Sequence, residues 1–336
     1  MVTDTSAPAA PIRAAAVQLE AEVGDVATNL ARIERLVDDA AAAGARLIAV
    51  PEFCTSRLPF DVRAHDATLP PDNIALDCFR RLAARHHCWI GGSMLIAENG
   101  AIANRYHLVE PDGTVHRHDK DLPTMWENAF YGPGHDDGVF DTALGGVGAA
   151  VCWELIRTQT VRRMRGRVGL AMTGTHWWTM PSNWGTAVAR GLAAIGQYNR
   201  YLSENAPAEF ARRLGAPVLQ ASHCGRFRTG FLLVPGLDRA PPYDTEFVGC
   251  TQIVDAEGRV LAQRRTEEGP GFVVADVTPG AREPVQPLED RFWIPELPLF
   301  LRAYWHHQNL CARRYYRSRG RAAGLAAAER HAADRR

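Results

Sequence analysis

Three residues in this chain have side chains that could do covalent chemistry together, and each stands at or near the end of a segment patterned as a buried strand. The apolar, small-residue run Val147–Val151 stops at Cys152, and Leu155–Met164 then has the composition of a helix. A thiol at a strand-to-helix junction meets backbone N–H groups that can lower its pKa and later hold an oxyanion. Taken alone, it could equally be a small buried hydrophobe. The run Arg46–Val50 leads directly into Pro51-Glu52-Phe53. A carboxylate just past the C-terminal end of a parallel strand lies where α/β folds place ligands, although in isolation it would read as a solvated loop glutamate. Lys120 is the only lysine among 38 basic residues. Either one lysine survived a coding bias toward arginine by chance, or position 120 needs an amine where a guanidinium will not serve. Together the three form a coherent set. A carboxylate can take the thiol proton, the thiolate can attack an electrophilic carbon, and an ammonium can stabilise the charge that develops there, with no histidine required.

The elements that must position these groups follow from periodicity. Ala14–Leu19 is an apolar strand, and Asp25–Ala43 carries Leu30, Ile33, Val37 and Ala40 at helical spacing. With Arg46–Val50 this makes a βαβ unit on a parallel sheet. Asp72–His87 repeats the helical pattern and Cys88–Ile96 the strand. Ile102–Val109 and Thr114–His118 flank the turn Pro111-Asp112-Gly113, and the second arm of that hairpin leads to Lys120. The long loop 121–138 contains Trp126, Glu127, Phe130 and Tyr131, and loops of this length inside compact domains tend to be functional. Further strands are expected at Val168–Thr173, Pro217–Cys224, Gly230–Val234, Phe247–Val254, Arg259–Gln263 and Phe272–Val277. Helices are expected at Trp184–Tyr201 and Leu297–Tyr316, followed by a frayed Arg/Ala-rich tail from Arg317.

Composition narrows the class. Acidic and basic residues number 38 each, so no global charge points to nucleic acid or an anionic membrane. The N-terminal residues lack the basic start and apolar run of a signal peptide, and no window of about 18 apolar residues exists for a membrane span. Seven scattered cysteines without CxxC spacing fit reduced cytoplasmic thiols better than disulfides or zinc. His116-Arg117-His118 lacks third and fourth ligands for a metal. There is no GxSxG elbow, P-loop or strand-linked GxGxxG.

In four blocks the chain resembles the nitrilase superfamily of carbon–nitrogen hydrolases, from Ile12 to Val277. These are Ala16-Val17-Gln18-Leu19 with Pro51-Glu52-Phe53, then Lys120-Asp121-Leu122-Pro123-Thr124 through Gly132-Pro133-Gly134, then Gly148–Glu154, then Gly249-Cys250-Thr251 through Ala262. The resemblance implies Glu52 as general base, Lys120 as oxyanion stabiliser, Cys152 as nucleophile and Glu127 as an auxiliary glutamate that orients the site. It also implies a four-layer α-β-β-α sandwich, a homodimer or larger homo-oligomer, and no metal or organic cofactor. Residues 1–11 would then be a disordered tail, 12–282 the hydrolase domain, and 283–336 a C-terminal extension whose aromatics pack on the chain itself or on a partner subunit.

Lys120-x-x-Pro123-Thr124 and Cys152-Trp153-Glu154 resemble the nitrilase branch. Leu155-Ile156-Arg157-Thr158 and His176-Trp177-Trp178 depart from it, so the chemistry is clearer than the substrate. The expectation is hydrolysis of a small nitrile or amide to acid and ammonia through a Cys152 thioester. An N-carbamoyl hydrolase, an amide or acyl transferase using the same trio, and a silent oligomeric scaffold are the alternatives. Trp126, Trp153, Thr175, His176 and Trp177 are expected at the substrate. The aromatic cluster of Trp126, Phe130, Trp153, Trp177 and Trp178 either faces an apolar or aromatic substrate or fills the core between two sheets.

Overall fold

The protein is described by a computed structural model covering residues 10–231 and 241–335. In chain order the elements are β1 (Ile12–Leu19), α1 (Val26–Ala42), β2 (Leu47–Ala49), α2 (Ile74–His86), β3 (Trp89–Glu98), β4 (Ala101–Val109), β5 (Val115–Asp119), β6 (Val139–Thr142), β7 (Gly145–Ala149), α3 (Thr158–Met164), β8 (Leu170–Thr175), α4 (Thr186–Leu214), β9 (Val218–His223), β10 (Arg226–Gly230), β11 (Pro242–Glu246), β12 (Thr251–Val254), β13 (Val260–Arg264), β14 (Gly271–Val277), α5 (Leu299–Tyr315) and α6 (Arg321–Asp334). Among the described residues, no helix is long and apolar enough to cross a membrane.

Alternation along the strands builds the layers. In β1, Ala15, Val17 and Leu19 pack in one apolar cluster with α1 and α2, while Ala14 and Ala16 belong to a second, central cluster. In the second βαβ strand, Ile48 and Val50 join the first cluster, and Leu47 and Ala49 the second. Successive side chains point to opposite faces, so strands apolar on both faces must be covered twice. One half-sheet runs β1–β2–β3–β4–β5, the other β9–β8–β7–β6, and they join where β1 pairs in parallel with β9 at Gln18 and Leu19. β14 runs antiparallel along β1, and β12–β13 extend from β9. β2 and β3 pack against β8, with α1 and α2 outside one half and α4 outside the other. This is the expected α-β-β-α order. The halves meet closely: a Cβ on Gly174 at the end of β8 would lie 2.2 Å from the backbone nitrogen of Glu52.

Several elements differ from the sequence expectation. The helix expected from Leu155 is split into a tight 3₁₀ turn, Cys152–Ile156, and α3. Helix α4 runs 29 residues, through Pro207. Leu202, Ala206, Phe210 and Leu214 all bury one helical face beside β9, which outweighs the ~3 kcal/mol an internal proline costs. The single strand expected over Phe247–Val254 is interrupted, because Gly249 and Cys250 adopt positive φ (69° and 66°) and separate β11 from β12. The strand near Gly230 begins earlier, at Arg226, and residues 232–234 lie outside the described residues, as do residues 1–9 of the expected N-terminal tail.

The C-terminal tail is not frayed. After a π-helical turn at Tyr316–Gly320 it forms α6, and both helices dock on the domain's own hairpin and loop. A Cβ on Gly320 would come within 2.3 Å of the Ala129 carbonyl, and one on Gly324 within 2.3 Å of Ile102. The missing side chain lets the backbone of Gly320 meet that of Ala129, and lets the Ile102 side chain pack against the backbone at Gly324.

Candidate active site

Glu52 lies three residues past the end of β2, Lys120 one past β5 and Cys152 three past β7, and the two half-sheets bring the three strand ends together. Two of the turns are tight: Phe53 (φ 49°) and Cys152 (φ 55°) adopt left-handed backbone, uncommon for non-glycine residues and found where a structure holds a side chain in a demanding position. All three functional groups are buried: Glu52 and Lys120 are 0% exposed and Cys152 2%.

Lys120 Nζ donates to Glu52 Oε1 at 2.9 Å and to Glu127 Oε2 at 2.8 Å. An ammonium has three donors, so one remains beyond these two bonds. Glu127 sits in the 3₁₀ turn Met125–Ala129, where its Oε2 also accepts from the Thr124 N–H (2.9 Å) and the Tyr131 hydroxyl. Glu52 Oε1 also accepts from Asn104 Nδ2 at 2.8 Å, whereas Oε2 has no donor of ordinary geometry. The Cys152 thiol lies against this carboxylate and within hydrogen-bonding reach of the backbone N–H of His176.

Burial sets the electrostatics. Desolvation raises the Glu52 carboxyl to about 7, against the pull of the nearby Lys120. Burial, reinforced by the Glu52 charge, pushes the Cys152 thiol well above its ordinary range. Burial also works against charge on Lys120, but Glu127 and Glu52 outweigh it and hold the ammonium well above the usual lysine value. At neutral pH the thiol is therefore protonated beside a carboxylate near its own midpoint. That arrangement suits proton transfer at the moment of attack rather than a standing thiolate.

A second set of buried charges lies behind the Cys152 turn. Glu154 Oε2 accepts from the Val151 N–H at 2.6 Å and pairs with His118 Nε2 at 2.9 Å, while Oε1 accepts from the Asp121 N–H at 3.0 Å. The other ring nitrogen of His118 pairs with Asp136. Burial opposes charge on His118, but Glu154 and Asp136 prevail and raise it to about 10. Asp121 in turn pairs with Arg157 and Arg163. The residues on either side of Lys120 are thus tied to the residues on either side of Cys152. The His116-x-His118 spacing belongs to two separate ion pairs, since His116 bonds Glu110 at 2.6 Å.

Trp126, Trp153 and Trp177, with Trp178, border a cavity of about 230 Å³. It is bordered by Trp153, next to Cys152, and by the start of the turn that carries Glu127, without including Glu52, Lys120 or Cys152 in its wall. Two residues expected at the substrate are elsewhere. The Thr175 hydroxyl bonds Ser222 Oγ (3.0 Å) between strands, and the His176 ring accepts from the Leu58 N–H (3.1 Å) while packing edge-on against Phe53 and Phe247. Both are interior positions; the Thr175 hydroxyl is satisfied by the protein, the His176 ring is bonded at Nε2 alone while its buried Nδ1 has no partner among the described residues, and the His176 backbone reaches the site. Phe130 is core, against His65 and Trp126. Asn104 and His223 escaped the sequence reading, and Tyr131 was named there only as part of the long loop. Asn104 was detectable: on β4 it breaks the inward-facing apolar series Ile102, Tyr106, Leu108. His223, whose Nε2 bonds the Glu52 carbonyl at 2.6 Å from 171 positions away, gave no such signal.

Comparison with known proteins identifies the family. An N-carbamoylputrescine amidase from Arabidopsis thaliana is 27% identical over 219 residues, 59% of this chain and 70% of the relative. Nitrilase 3 from the same plant is 29% identical over 170 residues, covering 44% of this chain, and the alignment spans about half (49%) of that relative. An amidase from Nesterenkonia, solved with an acetamide moiety added covalently at its active-site cysteine, superposes with a TM-score of 0.57 at 19% identity over 80% of this chain and 90% of that one. The carbon-nitrogen hydrolase family model matches residues 13–286, a span that takes in all three strand ends and the turn carrying Glu127. The chain belongs to the carbon–nitrogen hydrolase family.

Proposed function

We propose that this protein hydrolyses a small amide or nitrile to the carboxylic acid and ammonia through a thioester on Cys152. The observation that carries the reading is the buried contact of Lys120 with Glu52 Oε1, which leaves Oε2 undonated on the carboxylate that the Cys152 thiol faces. As substrate binds, Glu52 takes the thiol proton and sulfur bonds the substrate carbon. For an amide, the carbonyl π-electrons move to oxygen, and the third donor of Lys120 stabilises that oxyanion. Collapse expels ammonia, which carries away the proton held by Glu52, and leaves the thioester. Glu52 then deprotonates water, which attacks the thioester. The acid departs and the thiol recovers its proton. A nitrile enters as a thioimidate, adds one water, and joins the same route with loss of ammonia. Glu127, held by the Thr124 N–H and Tyr131, orients the ammonium. The acetamide moiety added covalently at the active-site cysteine of the Nesterenkonia amidase supports cysteine as the nucleophile.

The test is ammonia release from a panel of amides, nitriles and N-carbamoyl compounds, with mass spectrometry of a slow Glu52→Gln variant. Ammonia and an acyl adduct on Cys152, absent from Cys152→Ala, are expected. No ammonia from any compound, or an adduct on buried Cys54, Cys224 or Cys250, would overturn the proposal.

A further inference from the structure

The cavity beside the trio has a chemistry of its own. Five of the chain's eight tryptophans border it (Trp126, Trp153, Trp177, Trp178 and Trp184), and among the described residues none that lines it carries a charge. Much of its polar capacity is already used inside the protein. Asn199 accepts from Trp177 Nε1 (2.6 Å) and donates to the Trp178 carbonyl (2.7 Å), Trp184 Nε1 donates to the Pro242 carbonyl (2.8 Å), and the Tyr243 hydroxyl to the Thr179 carbonyl (2.9 Å). What faces the space is mostly ring and methyl surface, with Trp126 Nε1 and Thr124 Oγ1 the buried polar atoms of its lining that have no partner among the described residues. Some walls are set edge to face, with Trp126 against Trp178 at 5.4 Å and Trp184 against Tyr243 at 5.3 Å, the arrangement that accepts a further ring.

The cavity begins where the chemistry ends. Trp153 follows the nucleophile directly, Thr124–Trp126 open the turn that carries Glu127, and Trp177 follows the residue whose N–H meets the thiol. A group attached to the carbon attacked by Cys152 has this space beside it. A dry apolar cavity of about 150 Å³ holds benzene. At about 230 Å³ this one has room for a six-membered ring with a short methylene chain. An ammonium there would lose its water without gaining a counter-charge, because the nearest carboxylates of the site are turned to Lys120.

Building on the thioester reading above, we infer that the cavity is the acyl-body site and that the substrate is an uncharged arylalkyl amide or nitrile. Short-chain and ω-ammonium compounds are excluded, including the cationic kind that a carbamoylputrescine represents.

Binding to the full-length Cys152→Ala protein, measured by calorimetry, tests this without turnover. 4-Phenylbutanamide should bind about 100-fold more tightly than butanamide, the gain from burying one phenyl group. 5-Aminopentanamide should bind no better than butanamide. Leu192→Glu, at a partly exposed point of α4 on the cavity wall, should weaken 4-phenylbutanamide at least tenfold and leave butanamide unchanged. Equal affinity for the aryl and short amides, tighter binding of the ammonium compound, or indifference of the aryl amide to Leu192→Glu would each overturn the inference. Failure of the wild type to release ammonia would instead count against the thioester reading, with the affinity ratios still deciding this one.

Discussion

Lys120→Arg is the substitution that a chain with 37 arginines and one lysine would seem most ready to accept. Its cost can be worked from the site. Nζ sits fully buried, 2.9 Å from Glu52 and 2.8 Å from Glu127, with the Tyr131 hydroxyl on the same Glu127 oxygen, and the neighbouring cavity does not extend to it. A guanidinium is longer and planar, and presents a fork where one tetrahedral ammonium now divides its donors between two carboxylates and the substrate. Sequence alone suggests that the site would adjust and folding would survive unchanged. Full burial of Nζ between two carboxylates that each hold it by a short bond reverses that expectation. Overpacking of this kind costs about 1–3 kcal/mol, and the melting temperature should fall by a few degrees. Displacing the oxyanion donor by about 1 Å should lower kcat about 100-fold or more. The assay is a thermal melt beside steady-state ammonia release on the best substrate. A variant that melts like wild type and keeps more than about a tenth of its kcat would refute the argument, and Lys120 would then be only a positive charge.

Other consequences are equally direct. Because desolvation raises Glu52 to about 7 and its base form is required, kcat/KM should fall below that pH; an acid limb at 4–5 instead would remove Glu52 as the base. His118 is raised to about 10 by Glu154 and Asp136 against the effect of burial, so the stability it contributes is full below its unfolded value near 6.5 and is lost as pH rises through about 10. His118→Asn should cost about 1–3 kcal/mol near pH 7 by removing one of the two cationic partners of buried Glu154, Arg163 remaining at 3.3 Å, and the deficit should shrink toward pH 10; parallel stability curves would contradict this. Exposed Leu299, Phe300 and Leu310 on α5 leave apolar surface for a second copy of the chain, so sedimentation should show a dimer or larger species. A stable monomer, unaltered by deletion of residues 290–336, would exclude that role for the extension.

What could be read from sequence was whatever depends on local order. A small-residue strand ending in a thiol, a hairpin arm ending in the only lysine and a βαβ strand ending in a glutamate each declare their position through neighbours within about ten residues. Layering was legible for the same reason, since strands apolar on both faces need cover on both sides. The identity of the substrate wall was not. Phe130 and Trp126 are four residues apart in one loop, yet one is core and the other borders the cavity. Thr175 and His176 follow a strand end as Glu52 does, but their side chains are taken up by Ser222 and Leu58, contacts 47 and 118 positions distant. The extension's helix, expected to pack on the chain itself or on a partner subunit, supplies Phe300 and Tyr304 to the cavity and, through Asn309 and Arg313, bonds Asn128 beside Glu127.

The same long-range assembly explains how the proposed site can use glutamate rather than histidine as its base. Two buried carboxylates converge on one ammonium, so a further negative charge on sulfur is disfavoured until an electrophile can receive it. The arrangement therefore keeps one mobile proton between Glu52 and Cys152 instead of a preformed ion pair. Two imidazoles do lie close by, but burial holds His176 well below its ordinary value and His223 at about 4. Neutral rings can serve as fixed hydrogen-bonding struts, His176 accepting from Leu58 and His223 bonding the Glu52 carbonyl, without competing for that proton. A protonated histidine there would add a second cation beside Lys120, pull Glu52 down toward the ordinary carboxylate range, and leave it too weak a base for the thiol at neutral pH. The aromatic packing around both rings is thus part of what keeps Glu52 basic.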